Sequence, residues 1–265
     1  MMAILNVAPD SFFDGGRYCG VAEALAHART LIGEGADLID IGGESTRPGS
    51  RPVTLEEERR RVVPVVVALR AETALPISVD TTKAAVAAEA LAAGADLVND
   101  VSAGRLDPAM LSVVAGHGAG IVLMHMQGTP ETMQRDPVYD DVVREVLEFL
   151  SERITAARAA GIAGDRILVD PGIGFGKRLE HNLALLAGLD RLAALGVPVV
   201  VGASRKTFLG ALTGRAVEDR LSASVAAAVV AVASGARVVR VHDVGATRAA
   251  LAVAEAIGAA RRGMA

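Results

Sequence analysis

The most constraining feature of this sequence is a short pattern that recurs along the whole chain. A glycine or proline usually begins each copy, a run of apolar residues follows, and a polar residue ends it. The copies lie at residues 3–7, 35–40, 76–80, 94–99, 118–123, 166–170, 198–202 and 235–240. Because glycine commonly ends a helix, a glycine before a short apolar run marks the junction between a helix and the next strand. The pattern therefore predicts a strand–helix unit repeated eight times.

Amphipathic, alanine-rich segments of helical length fill the intervals between these runs. They lie at residues 20–33, 54–72, 83–93, 107–116, 138–160, 179–195, 218–234 and 245–258. Nearly continuous apolar strands that alternate with helices indicate a parallel sheet covered by those helices. The length of 265 residues suits one closed barrel. We therefore predict an α/β fold, a (β/α)8 TIM barrel in which residues 1–265 form a single domain, with an open doubly wound sheet as the alternative.

Charge and composition narrow the class of partner. The 27 Lys and Arg residues against 31 Asp and Glu give a net charge of −4, and only 3% of residues are aromatic, with no Trp. Such a chain offers neither a basic face for phosphates nor a stacking platform for bases, so we expect no nucleic-acid partner.

The single cysteine and the N-terminal sequence bear on location. Cys19 is the only cysteine, which excludes an internal disulfide and fits a reducing compartment. The sequence has no basic leader with a cleavage site and no run of about 20 apolar residues that could cross a membrane. We therefore expect a cytoplasmic protein without a membrane partner.

A barrel of this kind builds its active site at the carboxyl ends of the strands. These ends carry more polar residues than loop solvation requires, namely Asn6, Asp40, Asp80, Asn99, His125, Asp170, Ser204 with Lys206, and Arg240 with His242. Two or three of them could be helix caps or loop braces. Asp40 and His125 are the leading candidates for that structural role.

The last predicted strand ends in Arg240, Val241 and His242. Side chains alternate along a strand, so Arg240 and His242 point to the same side. An Arg fork matches phosphate oxygens, and a His can donate a proton to a departing anion. The pair therefore indicates a clamp for a phosphorylated ligand, although a surface Arg beside a capping His would give the same sequence.

Asp80, Asn99 and Asp170 end the third, fourth and sixth predicted strands and can converge in the mouth of the barrel. Carboxylates accept hydrogen bonds and an amide both donates and accepts, which suits the polar edge of a flat heterocycle. Met124 and Phe175 could pack against the faces of such a ring. A metal cage is the alternative, but no His–Glu cluster at metal spacing accompanies these acids.

Lys206 admits two chemical readings. It could form a Schiff base, as in barrel aldolases, or it could donate a hydrogen bond. It lies past the strand and at the start of a helix, within the Ser204–Lys206 segment, which favours hydrogen bonding.

Two loops are unusually long for connections between a strand and a helix. They cover residues 8–17 and 42–52 and are rich in glycine, proline and charged residues. We expect lids that order over a ligand, the alternative being solvated connectors.

Five segments of the chain carry a resemblance to a known family. They lie at residues 5–12 (LNVAPDSF), 40–49 (DIGGESTRPG), 170–177 (DPGIGFGK), 202–206 (GASRK) and 240–243 (RVHD). In this order they resemble the dihydropteroate synthase family, and the match runs from Ile4 to about Ile257. The family is one of (β/α)8 barrels, usually homodimers. The resemblance implies a transferase of folate biosynthesis that condenses 6-hydroxymethyl-7,8-dihydropterin diphosphate with 4-aminobenzoate, giving 7,8-dihydropteroate and diphosphate.

The resemblance also implies a role for each matching residue. The pterin would be held by Asp80, Asn99, Met124, Asp170, Phe175, Gly202 and Lys206. The diphosphate would be held by Thr46, Arg240, His242 and, through Mg²⁺, Asn6. The 4-aminobenzoate would be bordered by Thr46, Arg47, Pro48 and Ser204. The catalytic residues would be Asp10, Asp80, Lys206, Arg240 and His242, with Asp10 on the first loop approaching the cation that forms on the pterin methylene.

The first loop departs from the usual family pattern. Ala8 stands where Thr is common, and Phe13 stands where a small Ser is common. A degenerate, non-catalytic paralogue is one alternative, and a methyltetrahydrofolate-binding methyltransferase on a similar barrel is another. The methyltransferase has no use for a diphosphate clamp, so Arg240 and His242 weigh against it.

Overall fold

In the described residues, eight parallel strands form one sheet that closes on itself, and helices connect successive strands. The computed structural model describes residues 1–7, 19–45 and 52–263. In chain order the strands are β1 Met2–Asn6, β2 Leu38–Gly42, β3 Ile77–Asp80, β4 Leu97–Asp100, β5 Gly120–Met124, β6 Ile167–Asp170, β7 Val200–Val201 and β8 Val238–Val241. They are hydrogen-bonded in the order β6-β5-β4-β3-β2-β1-β8-β7.

The two ends of this order meet through the short segment before β7. Val169 of β6 forms a parallel bridge with Val199, and the Val169 N–H donates to the Pro198 carbonyl at 3.0 Å. The predicted closed barrel is therefore confirmed, and the open doubly wound sheet is excluded.

The described residues form ten α-helices, where eight are predicted from the sequence. They are α1 Cys19–Gly33, α2 Leu55–Arg70, α3 Ala84–Ala92, α4 Met110–Gly116, α5 Val142–Ala159, α6 Leu179–Ala187, α7 Leu189–Ala193, α8 Thr207–Thr213, α9 Leu221–Ala233 and α10 Val244–Gly263. None of the helices in the described ranges is long and apolar enough to span a membrane.

Local sequence explains where several helices begin and end. Thr54 caps α2 by accepting a hydrogen bond from the Glu57 N–H, and Asp141 caps α5 in the same way. The junction glycines Gly35 and Gly94 have φ values of 96° and 110°, a backbone conformation that residues with a Cβ rarely adopt. The repeated glycine of the sequence pattern is therefore a helix stop before the next strand.

Alternation along the strands divides their side chains into two sets. Ile39, Ile41 and Val79 belong to the main hydrophobic core, which contains the buried faces of the helices. The other set faces the inside of the barrel, and its lowest layer is the separate apolar cluster of Met2, Leu97, Val122 and Val200, packed by Leu38, Leu168 and Val238. This layer closes the barrel below, so a ligand can enter from the carboxyl ends of the strands.

Candidate active site

The carboxyl ends of the strands surround an open cleft. Its lining includes ten residues predicted from the sequence, namely Asp80, Asn99, Met124, Asp170, Phe175, Gly202, Ser204, Lys206, Arg240 and His242, together with Ile4, Val101 and Ile173, which were not predicted. Polar groups from five strands or their following loops therefore meet at one rim.

Arg240 on β8 reaches across the mouth to two carboxylates. Its Nε lies 2.6 Å from Asp40 Oδ2, and its Nη2 lies 2.8 Å from Asp80 Oδ2. Burial acts to lower the pKa of Arg240, but the two carboxylates outweigh it and raise that pKa above its ordinary value. The guanidinium is thus held in the cleft as a fixed positive charge.

The carboxyls of Asp80 and Asp170, which line the cleft, are both buried. Burial raises the pKa of Asp80 to about 7, and the attraction of Arg240 only partly opposes this. Burial also raises the pKa of Asp170, whose Oδ1 accepts a hydrogen bond from the Gly172 N–H at 2.6 Å. Acceptors that are deprived of water in this way gain most from a ligand that brings N–H donors.

Lys206 and Phe175 form a cation–π pair at the side of the cleft. The Lys206 Nζ lies 4.0 Å from the centre of the Phe175 ring. Burial lowers the pKa of Lys206 to about 8, while the nearby carboxylate of Asp170 opposes that shift. Lys206 directly precedes the short helix α8, in agreement with its expected place at the start of a helix, although none of the eight predicted helical segments covers α8.

Ser204 links the loop after β7 to the end of β8. Its hydroxyl oxygen lies 3.0 Å from His242 Nδ1 and accepts a hydrogen bond from the His242 N–H at 3.3 Å. Arg205, between Ser204 and Lys206, has a φ of 58° and donates to both oxygens of Asp243, at 3.1 and 2.6 Å. This double contact fixes the loop that presents Ser204 and Lys206 to the cleft.

Comparison with known proteins shows sequence similarity over nearly the whole chain. The family described as "Pterin binding enzyme" matches residues 2–242. The dihydropteroate synthase of Neisseria meningitidis serogroup B is 50% identical over 97% of this chain and 92% of its own length.

The chain belongs to the dihydropteroate synthase family.

Solved structures of the dihydropteroate synthase family have the same fold. The structure of the Xanthomonas albilineans dihydropteroate synthase with 4-aminobenzoic acid is 54% identical in sequence to this chain. The match covers 97% of this chain and 92% of that one, with a TM-score of 0.92. The same species' enzyme in complex with 7,8-dihydropteroate is 52% identical over 97% of this chain and 93% of its own, with a TM-score of 0.89. Membership of this family excludes the barrel aldolase and the methyltransferase as descriptions of the chain.

Asn6, the predicted metal ligand, ends β1 at the rim of the cleft. Its Cα pairs with Gly42, and a Cβ built on Gly42 would lie 3.6 Å from both Asn6 Oδ1 and Asp80 Cβ. Among the described residues no three His, Cys, Asp or Glu side chains group closely enough to hold a metal. Mg²⁺ needs no such cage, because it commonly binds one or two protein oxygens together with substrate phosphates. A dihydropteroate synthase substrate carries those phosphates, so the Asn6 amide oxygen fits the group.

Four predicted site residues lie outside the described part of the chain. They are Asp10 on the first loop and Thr46, Arg47 and Pro48 on the second. Ala8 and Phe13, the two departures from the family pattern, lie there too.

The expectation that Asp40 is a helix cap or loop brace is wrong. β2 continues to Gly42, so Asp40 lies in the middle of the strand, where it faces the inside of the barrel and is fully buried. Within the described ranges its partners are Arg240 and the Asn99 Nδ2, at 3.2 Å, and no backbone N–H donates to it. The sequence pattern ended this strand two residues early, because the apolar run was taken to end at its polar residue and the glycine-rich loop to begin at Gly42.

His125 braces a loop, as expected, and its partner there is Lys177, which the sequence pattern did not single out. Its Nδ1 lies 3.0 Å from the Nζ of Lys177, which also donates to the Phe175 carbonyl at 2.9 Å. Burial lowers the pKa of His125 to about 2 and that of Lys177 to about 7. The available signal for Lys177 was its place at the end of the 170–177 segment that carries Asp170 and Phe175.

A second unforeseen cluster holds the start of the 42–52 loop. The ammonium of Lys83 pairs with both Glu44 and the fully buried Glu58. Arg61 adds a hydrogen bond to the Gly43 carbonyl at 2.9 Å. The cluster anchors the beginning of this loop to helices α2 and α3.

Proposed function

We propose that this member of the dihydropteroate synthase family condenses 6-hydroxymethyl-7,8-dihydropterin diphosphate with 4-aminobenzoate, releasing 7,8-dihydropteroate and diphosphate. The observation that carries the proposal is that two kinds of group line one cleft. Asp80, Asn99 and Asp170 supply hydrogen-bond acceptors, and Arg240 and His242 supply an anion clamp. A flat heterocycle with an anionic tail matches both kinds of group at once.

The proposed pterin subsite suits a flat ring with N–H donors on its edge. Asp80, Asn99 and Asp170 accept from those donors, and Lys206 donates to a ring oxygen or nitrogen. Met124 and Phe175 belong to one apolar cluster beside the acids and pack against a ring face. Gly202 leaves room for this ring, since a Cβ there would lie about 4 Å from both Arg240 and Asp170.

The proposed diphosphate subsite favours departure of the leaving group. Arg240 provides a guanidinium fork, and His242 lies beside it with a ring nitrogen able to donate to a phosphate oxygen. Mg²⁺, when bound by Asn6 and the substrate phosphates, neutralises charge on the departing diphosphate.

The chemical step is an alkyl transfer. The bond between the pterin methylene and the diphosphate oxygen breaks, positive charge develops on the methylene, and the amine of 4-aminobenzoate attacks it and loses a proton. That amine is a weak nucleophile, so the barrier falls mainly by stabilising the two developing charges. Asp80 and Asp170 face the positive charge, while Arg240 and His242 face the negative one. Asp10 on the first loop is proposed to approach the cation, and both loops to exclude water from it.

The 4-aminobenzoate is proposed to bind above the diphosphate clamp. Ser204 borders this position, and its contact with His242 joins the two subsites. Thr46, Arg47 and Pro48 on the second loop complete it, and the Lys83 cluster holds the base of that loop.

The deciding experiment is an assay of the purified protein with both substrates and Mg²⁺. We expect diphosphate and dihydropteroate to appear in equal amounts, and both to stop when a chelator removes the metal. Tight binding of the pterin diphosphate without either product would identify a degenerate paralogue instead. The matched control is Asp96→Asn, which lies at the amino end of the barrel, away from the cleft, and should retain full activity.

A homodimer in the cytoplasm is part of the same proposal. Two apolar side chains of α10, Val253 and Ile257, are 61% and 51% exposed, and Val230 on the adjoining helix α9 is 53% exposed. Neighbouring exposed apolar residues of this kind commonly mark a protein interface. The face formed by α9 and α10 is therefore the proposed dimer contact.

A further inference from the structure

Asp40 is a buried charge that the reaction described above leaves without a role. It is fully buried inside the barrel, directly opposite Ile4 and Ser78 on the neighbouring strands. Ile4 lines the cleft, and Asp40 lies level with Ser78, one inward-facing position below Asp80. A carboxylate in such a position is retained only with strong partners, because its burial is costly.

The partners of Asp40 belong to both proposed subsites. Its Oδ2 accepts from the Arg240 Nε at 2.6 Å, on the diphosphate side. The same oxygen accepts from the Asn99 Nδ2 at 3.2 Å, on the pterin side. One oxygen atom therefore joins the anion clamp to the ring-binding amide.

We propose that Asp40 is a positioning residue that sets the direction of the Arg240 guanidinium for the diphosphate and the orientation of the Asn99 amide for the pterin. This inference rests on the proposed function. It assigns to Asp40 an effect on the pterin diphosphate alone, since neither partner borders the proposed 4-aminobenzoate position.

The contact with Arg240 sets the orientation of the guanidinium plane. The guanidinium is planar, so holding Nε and Nη2 against Asp40 and Asp80 fixes the plane of the whole group. The remaining N–H groups then point in fixed directions without loss of side-chain entropy when the ligand binds. With Asp40 neutralised, Asp80 alone holds the fork, at one nitrogen.

The contact with Asn99 sets which end of its side-chain amide faces Asp40. A carboxylate can only accept, so the amide must turn its nitrogen toward Asp40 and keep its oxygen for another donor. That oxygen can then accept from a ring N–H. An asparagine at position 40 could either donate or accept, and the preference for one amide orientation would be lost.

The first test is Asp40→Asn, which preserves size and removes the charge. We expect the KM for the pterin diphosphate to rise by about tenfold or more, as for loss of a charged hydrogen bond. The KM for 4-aminobenzoate should stay within about twofold of wild type. Asp96→Asn is the matched control, since Asp96 also joins an arginine, Arg70, to a second group, the Ile77 N–H, but at the amino end of the barrel.

A double-mutant cycle with Arg240→Met separates positioning from mere stability. Arg240→Met leaves Asp40 as a buried charge without its cation, so adding Asp40→Asn should raise the melting temperature above that of the single variant. In calorimetric titrations with the pterin diphosphate and Mg²⁺, Asp40→Asn should cost at least about threefold less affinity in the Arg240→Met background than in wild type. The cycle needs only binding, so it remains informative where turnover is lost.

The outcomes distinguish this proposal from the function on which it rests. Equal effects on the KM of both substrates, or independent costs in the cycle, would overturn the role of Asp40 while the wild-type enzyme still makes product. A wild-type protein that binds the pterin diphosphate but makes no product would overturn the proposed function. The double-mutant cycle would still test the positioning role of Asp40, because it measures only binding. A wild-type protein that does not bind this ligand would overturn both.

Discussion

At the scale of single residues, the site is assembled from buried charges that hold one another in place. Arg240 is paired with Asp40 and Asp80, and the charges of Lys206 and Asp170 attract each other. Removing one member of such a set leaves its partner as an uncompensated buried charge, which costs several kcal/mol. The site is therefore rigid before a ligand arrives, which favours precise binding of a flat ring.

The two substrates should depend on different residues. We expect Lys206→Ala to abolish pterin binding, with an affinity loss of at least about a hundredfold, because a buried charged hydrogen bond and the contact with Phe175 disappear together. Arg47→Ala should mainly raise the KM for 4-aminobenzoate. Steady-state kinetics with each substrate varied in turn checks both, and an equal loss for both substrates in both variants would refute the division.

The pH dependence of activity should follow the two perturbed groups in the cleft. Burial raises the pKa of Asp80 to about 7, so below that pH its carboxyl gains a proton and loses the negative charge that strengthens hydrogen bonds from the ring N–H groups. Burial lowers the pKa of Lys206 to about 8, so above that pH the ammonium is lost. We expect kcat/KM for the pterin diphosphate to be bell-shaped, with limbs near these two values. Lys206→Arg should move only the alkaline limb upward, and an unmoved limb would contradict the assignment.

How far the sequence predicts these residues depends on where their signal lies. The strand-end rule and the alternation of side chains were sufficient to predict Asp80, Asn99 and Arg240 at one rim. Asp40 was misjudged because its role depends on where β2 ends. Lys177 was missed because nothing local marks a lysine whose partners are His125 and a carbonyl on another loop.

At the scale of elements, the loops after β5 and β6 are joined behind the cleft. Lys177 donates to the Phe175 carbonyl and lies against His125 Nδ1, and the edge of the His125 ring meets the Phe149 ring of α5 at 4.9 Å between centres. These contacts fix the height of Phe175, which faces the ligand.

This junction should make the fold sensitive to acid. Burial lowers the pKa of His125 from 6.5 to about 2, so below pH 6.5 the unfolded chain binds a proton that the native protein does not. Stability from this group is present above pH 6.5 and is lost as pH falls. Compared with His125→Asn, wild type should lose about 1.4 kcal/mol more unfolding free energy per pH unit below that value. Urea unfolding between pH 7 and 5 measures this, and parallel slopes for the two proteins would contradict it.

Element boundaries were predicted less well than element types. The segment 179–195 forms two helices, because the backbone turns at Gly188, where a Cβ would lie 3.1 Å from Val143 of α5. Helix α9 begins at Leu221 rather than at residue 218, after a short 3-10 turn over Val217–Asp219. Both differences arise from packing between elements, which a single sequence does not encode in its periodicity.

At the scale of the whole molecule, closure of the barrel creates the site. β1 pairs with β8 as well as with β2, so Asn6 from the start of the chain comes to the same rim as Arg240 from its end. This arrangement was predictable, because eight equal units leave little choice of topology. The prediction that residues 8–17 and 42–52 form lids falls mostly on residues outside the described part of the chain.

The proposed dimer makes a prediction at this scale. Val253→Glu places a charge on the α10 face and should convert a dimer into a monomer, because an unpaired buried charge is costly. Val67→Glu is the control, since Val67 on α2 is 54% exposed and lies on a different helix. Light scattering after size exclusion should give the mass of two chains for wild type and the control, and of one chain for Val253→Glu. A monomeric wild type would contradict the proposal.

The central claim is that one rim grips the ring of the ligand with acids and an amide, and the anionic tail with Arg240 and His242. A crystal structure with the pterin diphosphate and Mg²⁺ tests it most directly. We expect the ring edge within hydrogen-bond distance of Asp80, Asn99 and Asp170, and the phosphates against Arg240 and His242. A ring bound elsewhere, or phosphates turned away from that pair, would contradict the account.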